Sequence, residues 1–162
     1  MACRPGIANW EKYERLCEKI LRYLFVPPLE GPLTRLRGEG GEKDLALFIP
    51  YDAPLFWQNI HRDYNASLVI IECKNLSRPV RKNDLAQLSS YLGATHGLFG
   101  LAVCRKHGKS ASNAMKWLLR EQRKLVLCID DSKITEMVRL KESGIQPERV
   151  LDILRRDVLL SV

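Results

Sequence analysis

Apolar and polar positions along the chain follow two periods, one helical and one of strands. Between Trp10 and Phe25, apolar or aromatic residues at Trp10, Tyr13, Cys17, Ile20, Leu21 and Leu24 recur at helical spacing. This predicts an amphipathic helix, ended by Pro27-Pro28. Residues 33–37 alternate in character and predict a short strand. Gly38-Glu39-Gly40-Gly41 supplies a turn with freedom for positive φ, and residues 44–49, Asp-Leu-Ala-Leu-Phe-Ile, predict the returning strand of a hairpin. Residues 51–66 read as an inserted segment with a short helix from Phe56 to His61. The run Leu68-Val69-Ile70-Ile71-Glu72-Cys73-Lys74-Asn75 is mostly β-branched, then polar, and predicts a buried strand.

Beyond it, Pro79 precedes a helix carrying Leu85, Leu88, Tyr91 and Leu92, closed by Gly93. Residues 98–104 predict a further buried strand. A helix over Ala114 to Leu119 follows, with Ser110 or Ser112 as its cap. Leu125 to Ile129 predicts a fifth strand. Asp130-Asp131-Ser132 caps a helix ending near Gly144, and Pro147 opens a last one with Val150, Leu151, Leu154 and Val158 on one face. Strands joined by helical crossovers lie parallel, whereas a hairpin is antiparallel. The expected fold class is therefore α/β: a mixed sheet with an N-terminal hairpin, flanked by helices on both faces. No repeat, low-complexity tract or linker divides the chain, so residues 1–162 are expected to form a single domain.

Composition narrows the function classes. With 162 residues and 46% apolar content the chain can bury a substantial core. A formal net charge of +7 points to polyanionic partners, nucleic acid above all. The five cysteines contain no C-x-x-C pair, and three of them (Cys73, Cys104, Cys128) sit in apolar strand-like runs. They read as small buried hydrophobes in a reducing compartment. His61, His96 and His107 lack metal-ligand spacing. No signal peptide or membrane-length apolar run is evident, so the cytoplasm is the expected location and no membrane partner is expected.

The chemistry centres on Glu72 and Lys74. Side chains at i and i+2 of a strand share a face, so a carboxylate and an ammonium stand side by side at the end of a core strand. Burying such charges is costly unless they are paired, solvated or bound to something. Asp44 opens the preceding strand, Glu14 and Glu18 lie one turn apart on the first helix, and Gln87 lies on the helix after the central strand.

Asp44 followed by Glu72-Cys73-Lys74, in this element order, resembles the PD-(D/E)XK nuclease superfamily. The similarity is to restriction-endonuclease-like, type IV restriction-like members with an aromatic-Glu pair in the first helix (Tyr13-Glu14), an E-C-K-N strand and a Q-L-x-x-Y-L helix (Gln87 to Leu92). The resemblance implies a metal-dependent DNA endonuclease. Asp44 and Glu72 would hold Mg²⁺ or Mn²⁺, with the backbone carbonyl of Cys73 as a further ligand. Lys74 would orient or help deprotonate the attacking water and stabilise developing charge. Glu14 would be the helical acid, with Glu18 the alternative, and Gln87 would complete the site. One departure stands in the hairpin: Glu42-Lys43 precedes Asp44 where relatives often carry arginines. Asp63 is a weaker alternative acid.

Arg78, Arg81 and Lys82 follow the central strand, and Arg105, Lys106 and Lys109 follow the next one. They are candidate phosphate contacts for double-stranded DNA. Two rival readings keep the fold without autonomous cutting: a catalytically silent nucleic-acid-binding domain, or an effector domain of a larger defence or repair system. The apolar face of the last helix is a candidate homodimer surface, with core packing as its alternative use.

Overall fold

The computed structural model describes the backbone of residues 3–38 and 41–162, with the side chains at position 7 and positions 32–44 outside that description. Among the described residues, helix α1 (Trp10–Phe25) leads into β1 (Glu30–Gly38) and β2 (Gly41–Phe48). Helix α2 (Leu55–Tyr64) and strand β3 (Leu68–Lys74) follow, then a 3-10 turn (Lys82–Leu85) running into α3 (Ala86–Tyr91). The chain continues through β4 (Phe99–Cys104), α4 (Lys109–Gln122), β5 (Leu125–Asp130), α5 (Asp131–Glu142) and α6 (Glu148–Leu159).

The five strands form one sheet in the order β1-β2-β3-β4-β5. β1, β2 and β3 pair antiparallel, and β3, β4 and β5 pair parallel. The expected mixed sheet with its hairpin is therefore observed; the tip at positions 39 and 40 lies outside the described residues. Every residue of β4 is buried, as are five of the six in β5. Such strands have both faces covered, which is why they read as continuous apolar runs rather than alternating ones. Cys104 and Cys128 take part in this packing as free thiols.

Trp57 of α2 is fully buried and meets Phe25 and Phe99 edge-on, with ring centroids 5.4 and 6.4 Å away. Its indole Nε1 donates to Glu148 Oε1 at 2.8 Å, tying the inserted helix to the start of α6. On α6, Val150, Leu151 and Val158 are buried and Leu154 packs against them, so this face is core.

Several boundaries depart from expectation: β2 begins at Gly41 rather than Asp44, and α2 covers Leu55–Tyr64 rather than residues 56–61. β1 runs from Glu30 to Gly38, longer than residues 33–37, because Glu30 also pairs with Phe48 across an irregularity before Leu33, and the ladder continues to Gly38–Gly41. Helix α4 begins at Lys109, and Gly108 takes the cap position in place of Ser110 or Ser112; its carbonyl accepts the Ala111 and Ser112 amides at 2.9 and 3.1 Å. The Ser112 hydroxyl instead meets His107 Nε2 at 3.1 Å. The helix after Pro79 is a 3-10 turn plus six residues. Asp84 fixes that turn by accepting the Arg81 amide at 2.7 Å. Among the described residues no helix is long and apolar enough to cross a membrane.

Candidate active site

The last residues of β3 carry the site. Ile71 pairs with Leu45 on β2, while Glu72 and Lys74 pair with Ala102 and Cys104 on β4. Glu72 is 4% exposed, an unusual burial for a carboxylate. Its Oε1 forms an ion pair with Lys74 Nζ. The two side chains stand on one face of the strand, as an i, i+2 pair must. The ammonium also reaches α3, where it donates to Gln87 Oε1 at 3.4 Å, a long contact. Gln87 Nε2 in turn donates to the Tyr91 hydroxyl at 3.1 Å. Tyr91 sits one turn further along α3, so the helical i, i+4 spacing builds this link.

Glu72, Lys74 and Gln87, expected to act together, are therefore in contact through the lysine. Cys73 pairs with Val103 along the same ladder. The Asp44 carboxyl lies outside the described residues. Its backbone belongs to β2, one residue before Leu45, at which the pairing of β2 with β3 ends opposite Ile71. Helix α1 packs on β3, with Glu14 half-buried beside the buried Tyr13. Glu18, one turn on, ion-pairs with Arg22 at 3.8 Å. Asp63 pairs with Arg155 at 2.8 Å and so ties α2 to α6.

A clasp that the sequence does not announce closes the end of β3. Asn75 is buried, and its Nδ2 donates to the carbonyls of Arg4 and Gly6 at 3.2 and 2.9 Å. Its Oδ1 accepts from Arg105 Nε at 3.0 Å. Arg105 further donates to the Cys3 carbonyl at 2.5 Å and to Asp131 at 3.1 Å, and its guanidinium lies 4.3 Å from the Tyr13 ring centroid. Burial, with Cys17 and Asp131 nearby, pushes the Tyr13 phenol well above its ordinary pKa. The N-terminal segment is thus strapped across the carboxyl ends of β3 and β4. Only the asparagine of E-C-K-N hinted at this, and nothing in the sequence links position 75 to positions 4 and 6.

The six basic candidates fall into two groups. Arg78 forks onto Asp84 with contacts of 2.7 and 2.9 Å. That fork and the Arg81 amide hold the Asp84 carboxyl below the usual carboxylate range against the opposing effect of burial. Arg105 is committed to the clasp, with its side chain 14% exposed. Arg81, Lys82, Lys106 and Lys109 are exposed. Lys82 lies 4.0 Å from the centroid of the Trp117 ring, a contact that sequence reading did not foresee.

For a metal, the described residues at the end of β3 offer the buried carboxylate of Glu72, a hard oxygen of the type Mg²⁺ prefers; the other buried carboxylate, Glu148, is held by Trp57. Among the described residues no group of three His, Cys, Asp or Glu side chains is placed to hold an ion. Comparison of the chain with protein-family models, curated proteins and solved structures gives no match.

Proposed function

We propose that this protein is a metal-dependent endonuclease that hydrolyses DNA phosphodiester bonds, as its resemblance to the PD-(D/E)XK nucleases implies. The observation that supports this most is the Glu72–Lys74 pair at the end of β3, with Gln87 reaching the lysine from α3. These are three of the residues that the resemblance names, drawn from two elements and in contact. A solvated ion pair needs neither the burial nor the second helix.

In this reading Glu72 and Asp44 would hold Mg²⁺ or Mn²⁺, with the Cys73 carbonyl as a further ligand. The bound ion would supply Lewis-acid neutralisation of phosphate charge. Lys74 carries a mobile point charge that can leave Glu72 Oε1 for a phosphate oxygen as charge builds there. Gln87 orients that ammonium, and Tyr91 orients Gln87. Glu14 borders the site from α1. Double-stranded DNA is the substrate, approached through the exposed cations Arg81, Lys82, Lys106 and Lys109. Five free thiols fit a reducing cytoplasm.

The test is incubation of supercoiled and linear DNA with each divalent metal, beside Lys74→Ala and Asp44→Asn proteins that still melt cooperatively. Cleavage by the parent alone is expected. Cleavage surviving both substitutions removes the reading. Salt-dependent binding without cleavage under any metal replaces it with the silent binding domain.

A further inference from the structure

Helix α4 turns its apolar residues Ala111, Ala114, Met115 and Leu118 inward. On its outer side, Lys109, Asn113, Lys116 and Arg120 fall at i, i+4, i+7 and i+11, which is one stripe along a helix. At about 1.5 Å per residue the stripe is about 16 Å long. It lines a groove of about 660 Å³ whose other walls include Lys82, Ser161 and Val162. The groove adjoins a second, of about 370 Å³, between α4 and the turn leading into α3.

Three features separate this surface from an ordinary solvated helix face. No acidic side chain lines the larger groove. Among the described residues, no carboxylate pairs with Lys82, Lys109 or Lys116; Arg120 alone has a partner, the exposed Glu121 at 2.7 Å. On α6, by contrast, Asp152 pairs with both Arg155 and Arg156. Finally, Trp117 fixes one cation, holding the Lys82 ammonium over its ring. An aromatic ring that pins a lysine at the rim of a cationic groove lowers the entropy lost when an anion arrives.

We infer that this groove binds the phosphodiester backbone of a nucleic acid, with Lys82, Lys109, Lys116 and Arg120 on phosphates and Asn113 as a neutral hydrogen-bond donor. The inference rests on the phosphodiester reading of the substrate, but not on cleavage. Lys82 stands five residues before Gln87, so a strand held along α4 leads by way of the 3-10 turn to the Glu72–Lys74 pair. Phosphate contacts set position and register without reading bases. The groove therefore serves as a sequence-independent track.

The experiment measures binding of a labelled duplex and of its single strand, in chelator, so that cutting plays no part. The parent is compared with Lys109→Gln/Lys116→Gln, with Trp117→Phe, and with a charge-matched control on α1, Lys12→Gln/Lys19→Gln, all first shown to melt like the parent. Four phosphate contacts give a slope of log K on log salt of about −3.6 on a duplex and about −2.8 on a single strand. The α4 pair should make the slope shallower by about 1.8 or 1.4 respectively and weaken binding on the order of tenfold or more at low salt. Trp117→Phe should weaken binding several-fold, and the control should change neither quantity. The nucleic acid bound more tightly identifies the source of the backbone. An equal loss in the α1 control, an unchanged slope in the α4 pair, or binding to anionic lipid vesicles but not to nucleic acid each overturns the inference. Full binding without any cleavage retires the nuclease and leaves the track, whereas cleavage with a wild-type slope in the α4 pair does the reverse.

Discussion

Replacing Lys74 with Met keeps the aliphatic stem and removes only the charge that faces Glu72. The Glu72 side chain is 5% exposed and that of Lys74 21%. Removing one partner of a fully buried ion pair costs about 3–5 kcal/mol, because a charge is left behind in a poor solvent. The lysine tip is partly hydrated, and Met fills the same volume, so the expected cost falls to about 2 kcal/mol. For a chain of this size each kcal/mol moves the melting midpoint by about 2–4 °C, giving a drop of about 4–8 °C. The double variant Glu72→Gln/Lys74→Met removes both charges and should recover most of that loss. Chemical denaturation of the parent, both single variants and the double variant forms a closed cycle. A coupling energy of about 2 kcal/mol is expected between the two sites. Coupling below about 0.5 kcal/mol, with each single variant nearly silent, would mean the pair behaves as a solvated surface bridge. The argument from burial would then fail, and with it the main support for an active site here.

Three further outcomes follow from the same geometry. Asp84 has a depressed pKa when folded, so its contribution to stability is present above its unfolded value of about 3.9 and is lost as pH falls through the lower folded value; Asp84→Asn should cost about 1 kcal/mol at neutral pH, and the difference from the parent should vanish in acid melts. Gly97 has φ +88°, and a Cβ there would stand 2.3 Å from the Ala66 Cα; Gly97→Ala should destabilise by about 3 kcal/mol or more in urea titration, and a neutral result would refute the close approach. Cys17, Cys104 and Cys128 are buried, and burial pushes the Cys104 thiol up to about 12; a thiol reagent should therefore modify only Cys3 and Cys73 quickly in the native protein, and all five cysteines in denaturant.

The element order was legible because each segment repeats its period for long enough. The stripe of α1 and the unbroken apolar runs of β4 and β5 are long patterns that tertiary context reinforces. Within the stripe, Trp10 is half exposed, since it opens the helix at its outer end. Caps were harder to read. Gly108 serves α4 through its carbonyl, while two nearby serines advertise a side-chain cap that does not form. Of the site, Glu72 and Lys74 could be paired from strand periodicity, whereas Gln87 joins them only through the resemblance to the nuclease superfamily. The roles of Arg78 and Arg105 could not be read, because their partners are set by tertiary packing. Arg105 meets Asn75, Asp131, Tyr13 and the Cys3 carbonyl, groups from four separate segments. Lys116 and Arg120 were overlooked because no motif surrounds them; the helical spacing with Lys109 was present but had no opposing wall until the fold supplied Lys82.

In the proposed reading, the topology accounts for the choice of one end of this sheet for phosphate chemistry. β3 is the seam between the antiparallel and parallel halves, paired with β2 on one side and β4 on the other. Because β2 runs against β3, the start of β2 lies beside the carboxyl end of β3. Position 44 directly precedes Leu45, which pairs with Ile71 next to Glu72, although a whole helix separates the two strands in the chain. Because β4 and β5 run with β3, their carboxyl ends lie at that level too, the end at which α/β sheets commonly bind ligands, with the Asn75–Arg105 clasp across β3 and β4. The return from β3 to β4 must pass over this end, and it carries Arg81, Lys82 and Gln87. The return from β4 to β5 carries Lys106 and Lys109, then the α4 stripe. Acids from the seam and cations from the crossovers thus come from different parts of the same topology. A phosphodiester needs both: oxygen donors for a divalent ion at the bond to be cut, and positive charge spread along the backbone on either side.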